Sequence, residues 1–239
     1  NPAPVREFPG VFEDDHLLAI DKLAGVAWHG GSGVSCGVIE QLRQARPQAR
    51  FLELVHRLDR DTSGILLLAK KRSALTNLQD QFRERETGKT YLALVQGHWA
   101  ANCKVIDTPL HKYLLPDGER RVKVVAKDHP DAMHSVSLVK VRQRSPAQPA
   151  QGLPELSLLE VTIKTGRTHQ IRVHMASSGH PIAGDDKYGD FELNKVLQKQ
   201  VLKRMFLHAW RLQFNHPLTG ERHELLCPLP PELARLVPD

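Results

Sequence analysis

The segment from His56 to Gly64 brings together side chains that could do acid–base or nucleophilic chemistry. It includes two carboxylates, one imidazole, two guanidiniums and two hydroxyls. The apolar run from Ile65 to Ala69, which is typical of a buried strand, follows it directly. Because an unpaired carboxylate at the edge of a hydrophobic core is costly, the acids here must be paired or hydrogen-bonded. That is the usual way in which a protein prepares a reactive acid.

The segment holds two candidate acids, Asp59 and Asp61. They could form an acid/base pair of the kind that glycosidases use, although carboxylates so close in sequence rarely flank a sugar correctly. Alternatively, Asp61, Thr62 and Ser63 cap backbone amides and shape the turn, which leaves only Asp59 for chemistry. The second interpretation is the one that the pattern favours.

A second dense polar segment, Thr165 to His174, follows an apolar run that is typical of a strand. Gly166 permits a tight turn there, and Thr168 suits the N-cap of a helix. Between them, the guanidinium of Arg167 is suited to bidentate pairing with a carboxylate or a phosphate. Pairing with Asp59 would keep that acid ionised despite partial burial; the alternative is an ordinary surface charge.

Tyr91 is one of only three tyrosines and lies on a predicted strand beside a basic segment. A nucleobase can stack on such a ring, although a core tyrosine with its hydroxyl at the edge fits the same position. Tyr91 is therefore a candidate for base recognition, with a structural alternative.

The 13 histidines of the chain raise the question of a metal site. His169 and His174 would lie on opposite faces of a strand, or about 140° apart on a helix, and neither arrangement suits a shared metal ion. The chain also lacks a glycine-rich phosphate loop, a dinucleotide fingerprint and a nucleophile elbow. We therefore expect an enzyme that uses no metal and no other cofactor.

The chain has 33 basic and 27 acidic residues, and the net charge of +6 favours a polyanionic partner without proving one. Basic side chains recur at 70–72, at 120–121 and in a helical stripe at 195, 199 and 203. Each of these groups fits either phosphate contact or an ordinary solvated face.

Three features of the chain bear on its location. No apolar run is long enough to cross a bilayer, and no signal segment opens the sequence, so we expect no membrane association. The three cysteines, Cys36, Cys103 and Cys227, form neither a disulfide framework nor a zinc pattern. Their odd number and wide spacing favour a reducing cytoplasm.

Strand and helix patterns interleave irregularly along the chain, which predicts an α+β fold with a mixed, mainly antiparallel central sheet flanked by helices. We expect one compact unit, bilobed around an active-site cleft. The predicted strands cover 11–20 with a turn at Asp14–Asp15, and 64–69, 90–95, 122–125, 135–141, 156–164, 205–214 and 224–226. The predicted helices lie near 38–45, from Ser73 onward, from Thr168 to Gly179 and over about 192–204.

The two polar segments resemble the motifs of the RluA-type pseudouridine synthase family. The segment His56–Gly64 resembles the catalytic motif of that family, and Thr165–His174 resembles a later motif. Other matching blocks are 89–97, 180–182, Gly184–Asp185, Tyr188–Gly189 and 207–230. The blocks follow the order of the family from near residue 11 to the end, so the chain is identified as a member, with one catalytic domain over 1–239.

Two departures from the family pattern concern the N-terminal part. Where the family usually has Lys-Pro, this chain has Lys22-Leu23, which bears on the rigidity of that loop but not on the fold. Relatives commonly carry an S4-like RNA-binding domain at the N-terminus. Nothing here matches it and the chain begins without Met, so we expect that domain to be absent from this chain.

The resemblance implies an enzyme that isomerises uridine to pseudouridine in RNA, by cleaving the N1–C1′ bond and rejoining the base through C5. Asp59 would be the nucleophile, acting at C1′ or, on an older proposal, at C6. Arg167 would pair with Asp59, and Tyr91 would stack on the flipped uracil. The residues expected to bind the substrate are Arg57, Leu58, Thr62, His169 and Leu226, the last on the other face of the base.

The resemblance is greatest to members that modify large-subunit ribosomal RNA, which implies a 23S-type RNA as the partner. We expect the enzyme to be a monomer. A family member acting on transfer RNA, a non-catalytic RNA-binding module, a metal-dependent hydrolase and a glycosidase that releases free uracil are the alternatives. Because the target uridine is stacked in RNA, it would have to be flipped out into the site.

Overall fold

The computed structural model describes residues 8–26, 37–200 and 202–237 of the chain. Its strands are β1 (Gly10–Glu13), β2 (Leu17–Lys22), β3 (Glu53–Leu54), β4 (Ser63–Ala69), β5 (Gly88–Gln96), β6 (Val105–Asp107), β7 (Leu110–Leu114), β8 (Arg120–Val124), β9 (Val136–Ser145), β10 (Leu156–Ile163), β11 (Leu207–Asn215) and β12 (Arg222–Leu226). Its α-helices are α1 (Val38–Ala45), α2 (Arg72–Arg83), α3 (Gln170–Ser177), α4 (Phe191–Lys199) and α5 (Pro231–Ala234). No helix within the described ranges is long and apolar enough to cross a membrane.

The chain divides into two compact units. The first unit comprises Asn1–Lys89 and His208–Leu229, and the second comprises Thr90–Leu207 and Pro230–Asp239. Each unit has a hydrophobic core of its own.

The first unit is organised around β4, all of whose residues are buried. Strand β2 runs antiparallel to β4, with Leu17 opposite Ala69, whereas β11 runs parallel to β4, with His208 opposite Ser63. Strands β1 and β12 extend this mixed sheet as antiparallel neighbours of β2 and β11. Because both faces of β4 are covered, its sequence is apolar without alternation. The Asp59 segment ends where this buried strand begins.

Helix α2 packs on the core of the first unit through Ala74 and Leu78. It begins at Arg72, with Lys71 as an extended N-cap that makes no side-chain capping bond. Ser73, where the sequence predicts the helix to begin, is thus already inside the helix.

In the second unit the strand order is β5–β10–β9–β6. The long antiparallel pair β9–β10 places Ile163 opposite Ser137 and contains an irregularity between Leu158 and Leu159. Strands β7 and β8 form a separate antiparallel hairpin. Most of helix α3 is buried, which is why its sequence shows no clear division into polar and apolar faces.

The α+β prediction with a mixed, mainly antiparallel sheet is confirmed, and the structure corrects two helix boundaries. Helix α3 begins at Gln170, with His169 rather than Thr168 as the N-cap. Helix α4 ends at Lys199, and the carboxylate of its N-cap, Asp190, accepts the Leu193 N–H at 3.0 Å. The sequence also predicts a flexible loop at 30–33, which lies outside the described residues.

Candidate active site

Asp59 lies on a tight turn between β3 and β4. The Thr62 N–H donates to the Asp59 carbonyl oxygen at 3.0 Å, and this bond closes the turn just before the strand begins. Leu58 points into the protein and is 3% exposed, whereas Arg57 is exposed. The Thr62 hydroxyl is buried and has no hydrogen-bond partner within the described residues. The turn therefore places the partly exposed carboxylate of Asp59 next to the buried side chain of Leu58.

A buried lysine supports this turn from beneath. Lys22 is fully buried, and its Nζ donates to the carbonyl oxygens of Leu23, Val26 and Arg60 at 2.9–3.0 Å. The Gly25 N–H donates to the Arg60 carbonyl as well, at 2.8 Å. The backbone just after Asp59 is thus tied to the segment that follows β2. Lys22 was not among the predicted site residues; its signal was its place in the Lys-Leu block that resembles a family motif.

The start of β4 is fixed by a very close approach of two backbones. A Cβ built on Gly64 would lie 2.2 Å from the Ala209 carbonyl oxygen, and the φ of Gly64 is +115°. The Ser63 hydroxyl lies 2.8 Å from His208 Nδ1, and His208 Nε2 lies 2.8 Å from the Cys227 carbonyl oxygen. Since that carbonyl can only accept, His208 carries its proton on Nε2 and accepts the Ser63 hydroxyl proton.

His56, the first residue of the motif, has a structural role. Its Nε2 accepts the Leu67 N–H at 3.0 Å, and its ring stacks on Phe82 at 4.9 Å between centroids. Burial, with a smaller contribution from the charge of Lys89, lowers the pKa of His56 to about 3. His56 is therefore neutral at neutral pH and holds the Asp59 segment against β4.

In the second unit, the Arg167 turn is built around the buried amide of Gln170. Gln170 Oε1 accepts the Arg167 N–H at 3.1 Å and the Thr165 hydroxyl at 2.6 Å. Its Nε2 donates to the Val136 carbonyl at 2.9 Å and to the Ser137 hydroxyl at 3.0 Å. This amide therefore fixes the backbone that carries the guanidinium.

The guanidinium of Arg167 is anchored at one nitrogen only. Its Nε donates to the His134 carbonyl oxygen at 2.9 Å. Within the described residues, the structure gives its terminal nitrogens no hydrogen bond or ion pair, so these donors remain for an anionic group.

His169 and Tyr91 also belong to the second unit. His169 has a left-handed backbone, with φ 54° and ψ 22°, and its Nδ1 lies 2.7 Å from the Tyr188 hydroxyl. Tyr91 lies on β5, is half-buried and packs against the core of this unit. This position agrees with the alternative of a core tyrosine, and part of the ring is still accessible.

Leu226, the last residue of β12, lies in the first unit and is 50% exposed. The predicted site residues that lie in the first unit are Arg57, Leu58, Asp59, Thr62 and Leu226. The second unit carries Tyr91, Arg167 and His169. The pairing of Asp59 with Arg167 and the position of Tyr91 beside them stay predictions.

One group of side chains has the composition of a metal site. Ligand atoms of Asp14, His16 and His216 lie within 4.8 Å of one another. However, His216 Nδ1 accepts the Leu218 N–H at 3.1 Å, so its proton is on Nε2, which donates to Asp14 Oδ2 at 2.7 Å. A metal-binding histidine instead donates its second ring N–H to a partner. The group is therefore better explained as side chains that hydrogen-bond two turns to each other than as a metal site.

Comparison with known proteins gives consistent matches. A family model described as RNA pseudouridylate synthase matches residues 16–177. The chain is 50% identical over 227 residues to ribosomal large subunit pseudouridine synthase C of Pasteurella multocida (strain Pm70), which covers 95% of this chain and 66% of that protein. The corresponding protein of Escherichia coli (strain K12) is 50% identical over 227 residues, covering 94% and 67%. The chain thus spans about two thirds of the length of these relatives.

Two solved structures share the fold. The human RNA pseudouridylate synthase domain containing 1 superimposes with a TM-score of 0.77 at 26% identity, covering 98% of this chain and 89% of that one. The human RNA pseudouridylate synthase domain containing 4 gives a TM-score of 0.73 at 26% identity, covering 94% and 89%.

Proposed function

We propose that this chain, which belongs to the RNA pseudouridylate synthase family, isomerises uridine to pseudouridine in RNA. The observation that carries the proposal is the Asp59 turn: it presents a partly exposed carboxylate directly before a buried strand, and Lys22 holds its backbone at the Arg60 carbonyl oxygen. Such a turn gives a nucleophile a fixed position, which is the main requirement for its catalytic use. The resemblance extends over 1–239, and we propose that this whole range is one catalytic domain.

In the proposed reaction, the N1–C1′ bond of uridine breaks and a C5–C1′ bond forms, while the proton on C5 is lost and N1 gains one. Asp59 acts as the nucleophile, at C1′ or at C6. No external oxidant or reductant is required, because the product is an isomer of the substrate.

Arg167 is proposed to pair with Asp59 and to favour its ionised form. Two features support this role. Gln170 fixes the backbone at Arg167, and the guanidinium uses only its Nε–H within the described part of the chain. The terminal nitrogens have the geometry for a bidentate contact with a carboxylate.

The base is proposed to lie between Tyr91 and Leu226. Tyr91 keeps part of its ring accessible, and Leu226 exposes half of its surface. Arg57, His169 and the Thr62 hydroxyl supply polar contacts to the RNA, and Leu58 anchors the turn from the core side.

The substrate is proposed to be 23S-type ribosomal RNA, since the relatives at 50% identity are named ribosomal large subunit pseudouridine synthase C. We place this enzyme in the cytoplasm and propose that it acts as a monomer that uses no cofactor. The net charge of +6 agrees with a polyanionic partner. A transfer RNA substrate and an RNA-binding module without activity remain the alternatives.

The test compares Asp59→Asn with Asp61→Asn as the matched control. Both are assayed for tritium release from ribosomal RNA labelled at C5 of uridine. We expect release to be abolished in Asp59→Asn and to stay near the wild-type rate in Asp61→Asn. Release by Asp59→Asn would exclude Asp59 as the nucleophile, and RNA binding without release by the wild-type chain would indicate a binding module. Free uracil on chromatography would identify a glycosidase instead.

A further inference from the structure

The block Gly184–Gly189 has no role in the proposed chemistry, and its Asp185 forms a buried ion pair with Arg172 of α3. Arg172 donates from Nε to Asp185 Oδ2 at 2.9 Å and from Nη2 to Oδ1 at 2.6 Å. The two side chains are 6% and 1% exposed. Burial opposes ionisation of Asp185, but Arg172 and the N–H groups of Lys187 and Tyr188 still lower its pKa below the ordinary value. The carboxylate is therefore ionised and fixes the turn that carries Tyr188.

Tyr188 is placed by this turn with defined hydrogen-bond partners. Its hydroxyl oxygen accepts the Val122 N–H at 3.0 Å and lies 2.7 Å from His169 Nδ1. The guanidinium carbons of Arg121 and Arg172 lie 5.7 and 5.2 Å from the centre of its ring. Four neighbours thus restrict the position of one phenol.

The direction of the bond between Tyr188 and His169 follows from the protons available. A phenol has one proton, and the Val122 N–H already occupies an acceptor position of the oxygen. Burial raises the pKa of Tyr188, so the hydroxyl keeps its proton at neutral pH. The hydroxyl therefore donates to His169 Nδ1, and a neutral His169 carries its own proton on Nε2.

His169 has an unusual backbone conformation at this position. Its φ of 54° lies in the left-handed region, which is uncommon for a residue with a side chain, and such strain concentrates at functional sites. It stands two residues after Arg167, on the turn that Gln170 stabilises. The strained turn and the hydrogen bond to Tyr188 together determine both where the imidazole lies and which nitrogen bears the proton.

We propose that Tyr188 is a positioning residue that fixes His169 as the Nε2–H tautomer, so that His169 gives a neutral hydrogen bond to an oxygen atom of the bound RNA. The donor role rests on the proposed function, whereas the tautomer does not. In this state His169 Nε2 cannot serve as a general base, because it already holds a proton.

The tautomer is tested by two-bond ¹H–¹⁵N correlation spectra of the full chain and of Tyr188→Phe. His180 is the internal reference: its Nδ1 lies 2.8 Å from the Gln96 carbonyl oxygen and must therefore carry the proton. We expect the opposite, Nε2–H pattern for His169 in the wild type and a mixture of tautomers in Tyr188→Phe, with His180 unchanged. An Nδ1–H pattern for His169 in the wild type would overturn the proposal, as would a pattern that Tyr188→Phe leaves unchanged.

The donor role is tested with two amide variants. The side-chain nitrogen of Gln occupies the position of histidine Nε2, whereas that of Asn occupies the position of Nδ1. We expect His169→Gln to keep kcat/KM for ribosomal RNA within about threefold and His169→Asn to lose about 10- to 100-fold, the effect of one missing hydrogen bond to a polar or charged acceptor. Equal losses, or the reverse order, would overturn the donor role. A wild-type chain without tritium release would instead count against the proposed function, and the spectra would still decide the tautomer.

Discussion

In the first unit a buried ammonium group supports the turn that carries Asp59, whereas in the second unit a buried amide supports the turn that carries Arg167. Lys22 donates to three carbonyl oxygens and uses its charge as well as its geometry. Gln170 both donates and accepts, and it contributes no charge. Each turn is therefore supported by a buried side chain that satisfies backbone groups of the turn.

The difference follows from the backbone groups that each turn presents. The Lys22 ammonium group has only donors and meets three carbonyl oxygens, whereas the Gln170 amide accepts the Arg167 N–H and donates to the Val136 carbonyl oxygen. We infer that the two supports cannot be exchanged, because an ammonium group has no acceptor for an N–H and an amide has only two donors for three carbonyl oxygens.

The largest effect is expected at Gly64, where the Asp59 turn meets β4. In Gly64→Ala, the new Cβ would lie 2.2 Å from the Ala209 carbonyl oxygen at a φ of +115°. Because backbone atoms cannot move aside cheaply, we expect a loss of at least about 4 kcal/mol, seen as little folded protein in urea titrations. Gly118→Ala is the control: its φ is +87°, but no atom lies within 4 Å, so it reports the backbone strain alone. Equal losses in both variants would show that the contact with Ala209 is unimportant.

The next effect is expected from removing the charged support. Lys22→Met keeps the length of the side chain but removes the donor to the carbonyl oxygens of Leu23, Val26 and Arg60. We expect a loss of about 3 kcal/mol in the free energy of unfolding, since a hydrogen bond to a charged group contributes about 1.5–3 kcal/mol. Lys71→Met, at an exposed lysine of the same unit, should change stability by less than about 0.5 kcal/mol. If the two variants were equally stable, Lys22 would not be a support.

Removing the Gln170 amide should cost less stability than removing Lys22. Its main effect should be on the position of Arg167. Gln170→Leu removes the hydrogen bonds to Arg167, Thr165 and Val136, and we expect a loss of about 2 kcal/mol. Since the variant still folds, its tritium release should fall at substrate saturation more than its RNA affinity does. Gln198→Leu, on the exposed face of α4, is the control. Wild-type turnover in Gln170→Leu would remove Gln170 from the support of Arg167.

The sequence indicates the two turns more readily than their supports. Asp59 and Arg167 are candidates because their motifs place reactive side chains beside apolar runs, and their roles stay predictions. The supporting roles of Lys22 and Gln170 were not predicted, although both lie in segments compared with family motifs, because their partners lie up to 38 residues away along the chain. The cap of α3 was wrong for a related reason. Thr168 has the usual capping side chain, but the bonds of Gln170 shift the start of the helix by one residue.

The smallest effect concerns pH and compares a histidine of the Asp59 motif with an exposed one. In the folded chain the pKa of His56 is lowered to about 3, chiefly by burial, from the ordinary value of 6.5. Below pH 6.5 the unfolded chain therefore binds a proton that the folded chain does not, and stability falls as the pH falls towards 3.

Between pH 7 and pH 5, His56 should reduce the free energy of unfolding by about 1–2 kcal/mol, measured by urea titration at both pH values. His56→Gln keeps an acceptor for the Leu67 N–H but cannot titrate, so its stability should depend less on pH by that amount. His98→Gln, at an exposed position, should follow the wild type. Parallel behaviour of His56→Gln and the wild type would mean that the motif histidine is charged in the folded chain, and the support of Asp59 would then include a second cation.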